Sequence, residues 1–137
     1  DRASLAARSV RGVDFAGEVE DPVPWYAAAD VVVLASRVEA MPLTILEALS
    51  CGRSVVTTAV DGAREVLGGA EAGAVVPIGD IPALGDALAA RLADLARAEA
   101  EGRRGRHRVE ESYPRGRWAD RMAGLVAGLV DMSRRQS

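Results

Sequence analysis

Two glutamates, Glu39 and Glu47, stand with seven residues between them in ASRVEAMPLTILEALSCGRSVVTT, residues 35–58. An ionised carboxylate only accepts hydrogen bonds and can take two hydroxyls at once, which suits the vicinal diol of a nucleoside. The stretch reads as strand end, turn, helix, glycine stop and strand. Pro42 lies at or just before the first helical turn, where a missing N–H costs nothing, and Gly52 lies just past the last turn, where a left-handed cap is common. The first backbone N–H groups of such a helix, at about Leu43 and Thr44, have no acceptor within the helix and sit at the positive end of its dipole, so they suit a phosphate. Glu39 falls in the turn before the helix, and Glu47 falls roughly 6 Å further along its axis at 1.5 Å per residue. A ribose beside a cradled phosphate lies at a similar separation. The chemistry that these residue types and this spacing fit is recognition of a nucleoside phosphate.

These groups need elements to hold them. Apolar, β-branched runs bounded by Gly, Asp and Ser predict strands at Val13–Ala16, Val31–Ala35, Ser54–Thr58 and Ala74–Pro77. Helical spacing between them predicts helices at Pro22–Ala29, Leu43–Ser50 and Ala63–Leu67, with a long one from Ile81 to about Ala98. Strands alternating with helices make βαβ units, and Val31–Leu34 is apolar at every position, as befits a parallel strand covered on both faces. The fold class expected is α/β, a partial Rossmann-like parallel sheet with a helical C-terminal tail. A helix that starts just beyond the carboxyl end of such a strand points its free amides into the crevice where these sheets bind ligands. After Ala98 the pattern is all helix: a charged stretch over Glu99–Glu111, then an amphipathic segment from Arg117 to about Met132. There Trp118, Met122, Leu125, Val126, Leu129 and Val130 form one apolar stripe. The expected organisation is a Rossmann-like domain over 1–112, with 113–137 as an amphipathic helix packing on it.

Composition narrows the class. The chain has 137 residues, 49% of them hydrophobic, enough for one α/β domain or a large piece of one. The formal charge of −3 lacks the positive field that draws proteins to nucleic acid, so no nucleic-acid partner is expected. Cys51 is the sole cysteine, which rules out an intramolecular disulfide and any thiolate metal cluster from this chain alone, and fits a reducing, cytoplasmic setting. No apolar run approaches the ~20 residues that span a bilayer. The basic residues are all Arg apart from His107, and the chain opens on Asp1 rather than Met, which suggests a fragment or a processed product. His107 lies in RRGRHR, residues 103–108, which reads first as a solvated helix, with peripheral contact to an anionic lipid or polymer as the alternative.

The motif and its surroundings resemble the retaining, GT-B-fold glycosyltransferases of family 4, whose signature is two glutamates separated by seven residues. The resemblance runs through WYAAADVVVLASRVEAMPLTILEALSCGRSVVTTAVDGAREVL (25–67) and EAGAVVPIGD (71–80), and more loosely through EESYPRGRWADRM (110–122). It implies a nucleoside diphosphate sugar donor, UDP- or GDP-linked, with Glu47 on the ribose. Glu39 is implied as the catalytic-centre carboxylate, facing the transferred sugar with the amides of Ala40 and Met41. The donor-binding turn continues through Pro42, with Leu43 and Thr44 at the diphosphate, and Ala16, Gly17 and Glu18 lie by the base. Reaction with retention needs no metal and no cofactor, with helix amides and basic side chains stabilising the departing diphosphate. In the family an N-terminal domain binds the acceptor, and two further strands with a diphosphate-gripping Arg and Lys precede the first strand seen here. By the sheet order 3-2-1-4-5-6, Val13–Ala16 is then left without neighbours, to be supplied by another chain, a domain swap or residues outside this sequence. Asp61 and Gly62 fall at a turn that sits near the donor sugar in the family, although turn structure alone explains them, and Glu65 resembles a recurrent family Glu that a structural role explains equally well. Trp25 and Tyr26 read as core or rim packing residues, with stacking on a base as the alternative. The alternatives are a sugar-nucleotide 2-epimerase of the same architecture and a non-catalytic nucleotide-binding or interaction module. A dehydrogenase is disfavoured, because no G-x-G-x-x-G follows a strand.

Overall fold

The structure is a computed structural model that describes residues 12–113. In chain order it contains α1 (Val23–Ala28), β1 (Val31–Leu34), α2 (Leu43–Ser50), β2 (Ser54–Thr58), α3 (Ala63–Leu67), β3 (Gly73–Val76), α4 (Ile81–Leu92) and α5 (Leu95–Ser112). The three strands form one parallel sheet in the order β1-β2-β3, with Val31 opposite Ser54 and Val55 opposite Gly73. Parallel neighbours require a crossover, and α2 and α3 supply the two here.

β2 is the centre of the sheet, and all five of its residues are buried. Ile45, Ala48 and Leu49 of α2 pack against Val55, Val60, Ala63, Val66, Leu67 and Ala72 to form the core. Each fully buried Ile, Leu or Val contributes about 1.5–3 kcal/mol relative to exposure. β1 sits at the sheet edge and is only partly covered, with Val33 exposed.

The end of α2 is locked in place. Gly52 adopts φ 71°, its N–H donates to the Leu49 carbonyl at 2.8 Å, and the Arg53 N–H donates to that of Ala48 at 3.0 Å. This 5→2 and 6→1 pairing satisfies the last helical carbonyls and turns the chain into β2. α5 crosses beneath: Gly102 lies against the Gly52 carbonyl and Gly105 against Leu49 and Ala72, so closely that a Cβ at either position would collide. Under α4 and α5, Arg91 and Glu101 form a buried ion pair at 2.8 Å that Ser54 of β2 joins, its hydroxyl donating to Glu101 at 2.6 Å.

Two expectations change. Val13–Ala16 forms no strand; a strand exists only by its ladder, and among the described residues nothing pairs with this segment, leaving Val13 and Phe15 exposed. The helix expected from Ile81 to about Ala98 is two helices, because Asp94 restarts it: the Asp94 side chain accepts from the Arg97 N–H at 3.0 Å, an N-cap that the continuous apolar spacing conceals. The predicted helix over 117–132, and with it the tail assigned to 113–137, lies outside the described residues beyond Tyr113.

Candidate functional site

The loop between β1 and α2, residues 35–42, carries Glu39 and is tied to the end of β2. The Thr58 hydroxyl, almost fully buried, donates to the Ser36 carbonyl at 2.5 Å. Ser36 in turn donates through its own hydroxyl to Glu39 Oε1 at 2.7 Å. A carboxylate in a turn is thereby oriented through two hydroxyl side chains, one in its own loop and one at the end of β2.

Pro42 is buried at the start of α2 with φ −78° and ψ 81°. These angles make an inverse γ-turn, in which the Leu43 N–H bends back to the Met41 carbonyl at 2.9 Å. No side chain caps the helix. Of the two amides expected to be available, Leu43 is therefore already engaged within the protein, whereas the Thr44 N–H has no acceptor among the described residues. Gly62, at φ 75°, packs beside this turn, and a Cβ there would stand 3.4 Å from Pro42 Cδ. The Asp61–Gly62 turn is thus brought to the loop of Glu39, as the resemblance implies.

Glu47 lies on the exposed side of α2, three residues beyond Thr44 and on the same side of the helix. Its Oε2 accepts from the Tyr26 hydroxyl of α1 at 2.9 Å. Burial first, and then the Glu47 carboxylate, raise the Tyr26 phenol above its ordinary value, while the nearby Thr44 hydroxyl works in the opposite direction. Both signature glutamates therefore stand close to the start of α2, each held on one oxygen by a protein hydroxyl. Ala16, Gly17 and Glu18 are exposed on the segment leading into α1, and no hydrogen bond among the described residues joins them to this group.

Sequence reasoning missed Ser36 and Thr58 and assigned Tyr26 to packing. Ser36 carried a signal, a hydroxyl three residues before a turn carboxylate. Tyr26 carried none, since it stands 21 residues from Glu47 and meets it only because α1 packs on α2.

Other polar features serve elsewhere. A hollow of about 60 Å³ lined by Asp30, Gly52, Arg53, Leu95, Ala98 and Glu99 lies at the amino ends of β1 and β2, opposite the Glu39 loop, and is too small for a nucleotide. In the 103–108 run, Arg103, Arg106 and His107 pair with Glu99, Glu110 and Glu111, while Arg104 and Arg108 donate to the Glu71, Val66 and Glu65 carbonyls. Among the described residues no three His, Cys, Asp or Glu side chains converge as a metal site would require, and no helix is long and apolar enough to cross a membrane.

The chain is similar to known proteins. The family described as glycosyl transferases group 1 matches residues 1–94. The lipopolysaccharide core biosynthesis mannosyltransferase LpsB of Rhizobium meliloti (strain 1021) is 32% identical over 131 residues, 94% of this chain and 36% of that protein. A D-inositol 3-phosphate glycosyltransferase of Kribbella flavida is 36% identical over 107 residues, 74% of this chain and 25% of that protein. Among solved structures, sucrose-phosphate synthase from Thermosynechococcus elongatus superposes with a TM-score of 0.84 at 33% identity, covering 96% of this chain and 32% of that one. The chain thus spans about a quarter to a third of the length of these relatives. With the two-glutamate loop, the parallel sheet and a family match over most of the sequence in agreement, the chain belongs to the group 1 glycosyl transferases, with the family-4-like GT-B domain fold.

Proposed function

We propose that the chain is the donor-binding portion of a glycosyltransferase that moves a sugar from a nucleoside diphosphate, UDP or GDP, to an acceptor with retention of configuration. The observation that carries this reading is the start of α2: the unpartnered Thr44 amide at a positive helix end, with Glu39 before it and Glu47 one turn beyond, each oriented by a hydroxyl.

In this reading Glu47 accepts the ribose diol through the oxygen that Tyr26 leaves free. The diphosphate lies against the Thr44 N–H, while the Ala40–Leu43 turn and Glu39 face the sugar. As the glycosidic bond to the donor breaks, negative charge grows on the diphosphate, and a fixed amide and helix dipole stabilise it without reorganising. The γ-turn gives Leu43 a smaller part than its position suggests, because its N–H must leave Met41 before it can serve a phosphate. The base falls to Ala16, Gly17 and Glu18, and no metal or cofactor is assigned. The relatives are named for glycosyl transfer but for different settings, lipopolysaccharide core biosynthesis and D-inositol 3-phosphate. That agrees with acceptor choice residing in a part of those proteins, or a partner chain, that this chain does not match.

Calorimetric titration with UDP, GDP and ADP tests the reading. Weak binding of UDP or GDP is expected, and Glu47→Ala weakens it about tenfold, the worth of one or two hydrogen bonds to a charged group. Equal affinities of wild type and Glu47→Ala for every nucleotide sink it.

A further inference from the structure

Resting on that reading, we infer that Tyr26 is a positioning residue for Glu47, fixing the carboxylate so that α1 helps the site demand an intact ribose diol. The Tyr26 hydroxyl donates to Glu47 Oε2 at 2.9 Å, with the Thr44 hydroxyl nearby. A phenol hydroxyl has one proton to give, and here it goes to Glu47. Tyr26 is on α1 and Glu47 on α2, so this bond bridges two neighbouring helices.

The bridge matters because Glu47 is exposed. An exposed Glu samples many rotamers, and ordering it on ligand binding opposes affinity. With Oε2 anchored, Oε1 stays fixed to accept hydroxyls. A vicinal diol engages a fixed carboxylate with both hydroxyls, whereas a mobile carboxylate gains less from the second. Tyr26 thereby acts on discrimination between ribose and 2′-deoxyribose through Glu47, without touching the nucleotide. The same phenol sits beside Thr44, whose amide is the one left unpartnered at the helix start, so the diol and diphosphate ends of the site are joined through it.

The test uses the whole chain with UDP and GDP, each compared with its 2′-deoxy counterpart by titration. The ratio of the two affinities is measured within one protein sample and does not depend on how much of it is folded. Wild type is expected to prefer the ribonucleotide about tenfold, and Tyr26→Phe to reduce that preference roughly three- to tenfold. In a Glu47→Ala background, Tyr26→Phe changes nothing further. If Glu47→Ala abolishes the preference while Tyr26→Phe retains it, the inference falls and the donor reading stands. Loss of ribo- and deoxyribonucleotide binding in equal measure in Tyr26→Phe makes Tyr26 merely structural and also overturns the inference. Failure of wild type to bind either nucleotide overturns the donor reading and this inference with it.

Discussion

At the scale of single residues, hydroxyls do most of the positioning. Thr58 holds the Ser36 carbonyl, Ser36 holds Glu39, and Tyr26 holds Glu47. Each hydrogen bond is worth about 0.5–1.5 kcal/mol net and more when a carboxylate accepts, which is enough to select one rotamer of an otherwise mobile side chain. The Tyr26 bond also makes stability depend on pH. Burial and Glu47 lift its phenol above 10.0, so the folded chain retains a proton that the unfolded chain releases. The stabilisation is complete below that value and is lost as pH rises through the higher folded-state value. Tyr113, raised by burial and then by Glu65, adds a loss of the same sign. Denaturant titrations on either side of pH 10 are expected to show the decline, smaller in Tyr26→Phe; an identical decline in the variant would deny the coupling.

Among the elements, α2 governs the site and α5 governs α2. The glycine cap at Gly52 ends α2, and Gly102 lets α5 close on that cap with its backbone against the Gly52 carbonyl. Gly102→Ala must push the two apart and is expected to cost about 1–3 kcal/mol. Gly85, exposed inside α4 with nothing near its missing Cβ, is the control, and Gly85→Ala is expected to stabilise by about 0.5–1 kcal/mol through helix propensity. Thermal unfolding of the two variants checks both signs; a neutral Gly102→Ala would mean that the crossing is looser than described. The boundaries of α2 and β2 were legible in the sequence because Pro42 and Gly52 punctuate the helix and a β-branched run marks the strand. The break at Asp94 was not, because the apolar spacing of Ile81–Ala98 runs on across it and only the cap bond from Arg97 reveals the restart.

Across the whole molecule, the joint of β2, α4 and α5 depends on one buried charge pair. Arg91 and Glu101 are each 3% exposed and share Ser54, with Arg97 reaching Glu101 from the surface at 3.1 Å. Glu101→Gln leaves the Arg91 cation buried without its counter-charge and is expected to cost about 3–5 kcal/mol. Replacing both with apolar residues of similar volume should cost less than the sum of the single changes. Chemical denaturation of the single and double variants decides this, and additive losses would show that the pair does not act as a unit. What the sequence by itself determined is what local chemistry encodes: the α/β alternation, the helix whose start lies between Glu39 and Glu47, and the resemblance to a glycosyltransferase family that the match over residues 1–94 bears out. What only the tertiary structure decided is everything that joins distant segments. Tyr26 meets Glu47 and Thr58 meets Ser36 because helices pack and parallel strands align, and neither contact leaves a pattern in the intervening residues. The Val13–Ala16 run shows the same limit from the other side. Its residues favour a strand, but a strand is a property of two segments, and its pairing depends on a neighbour that the run itself does not encode.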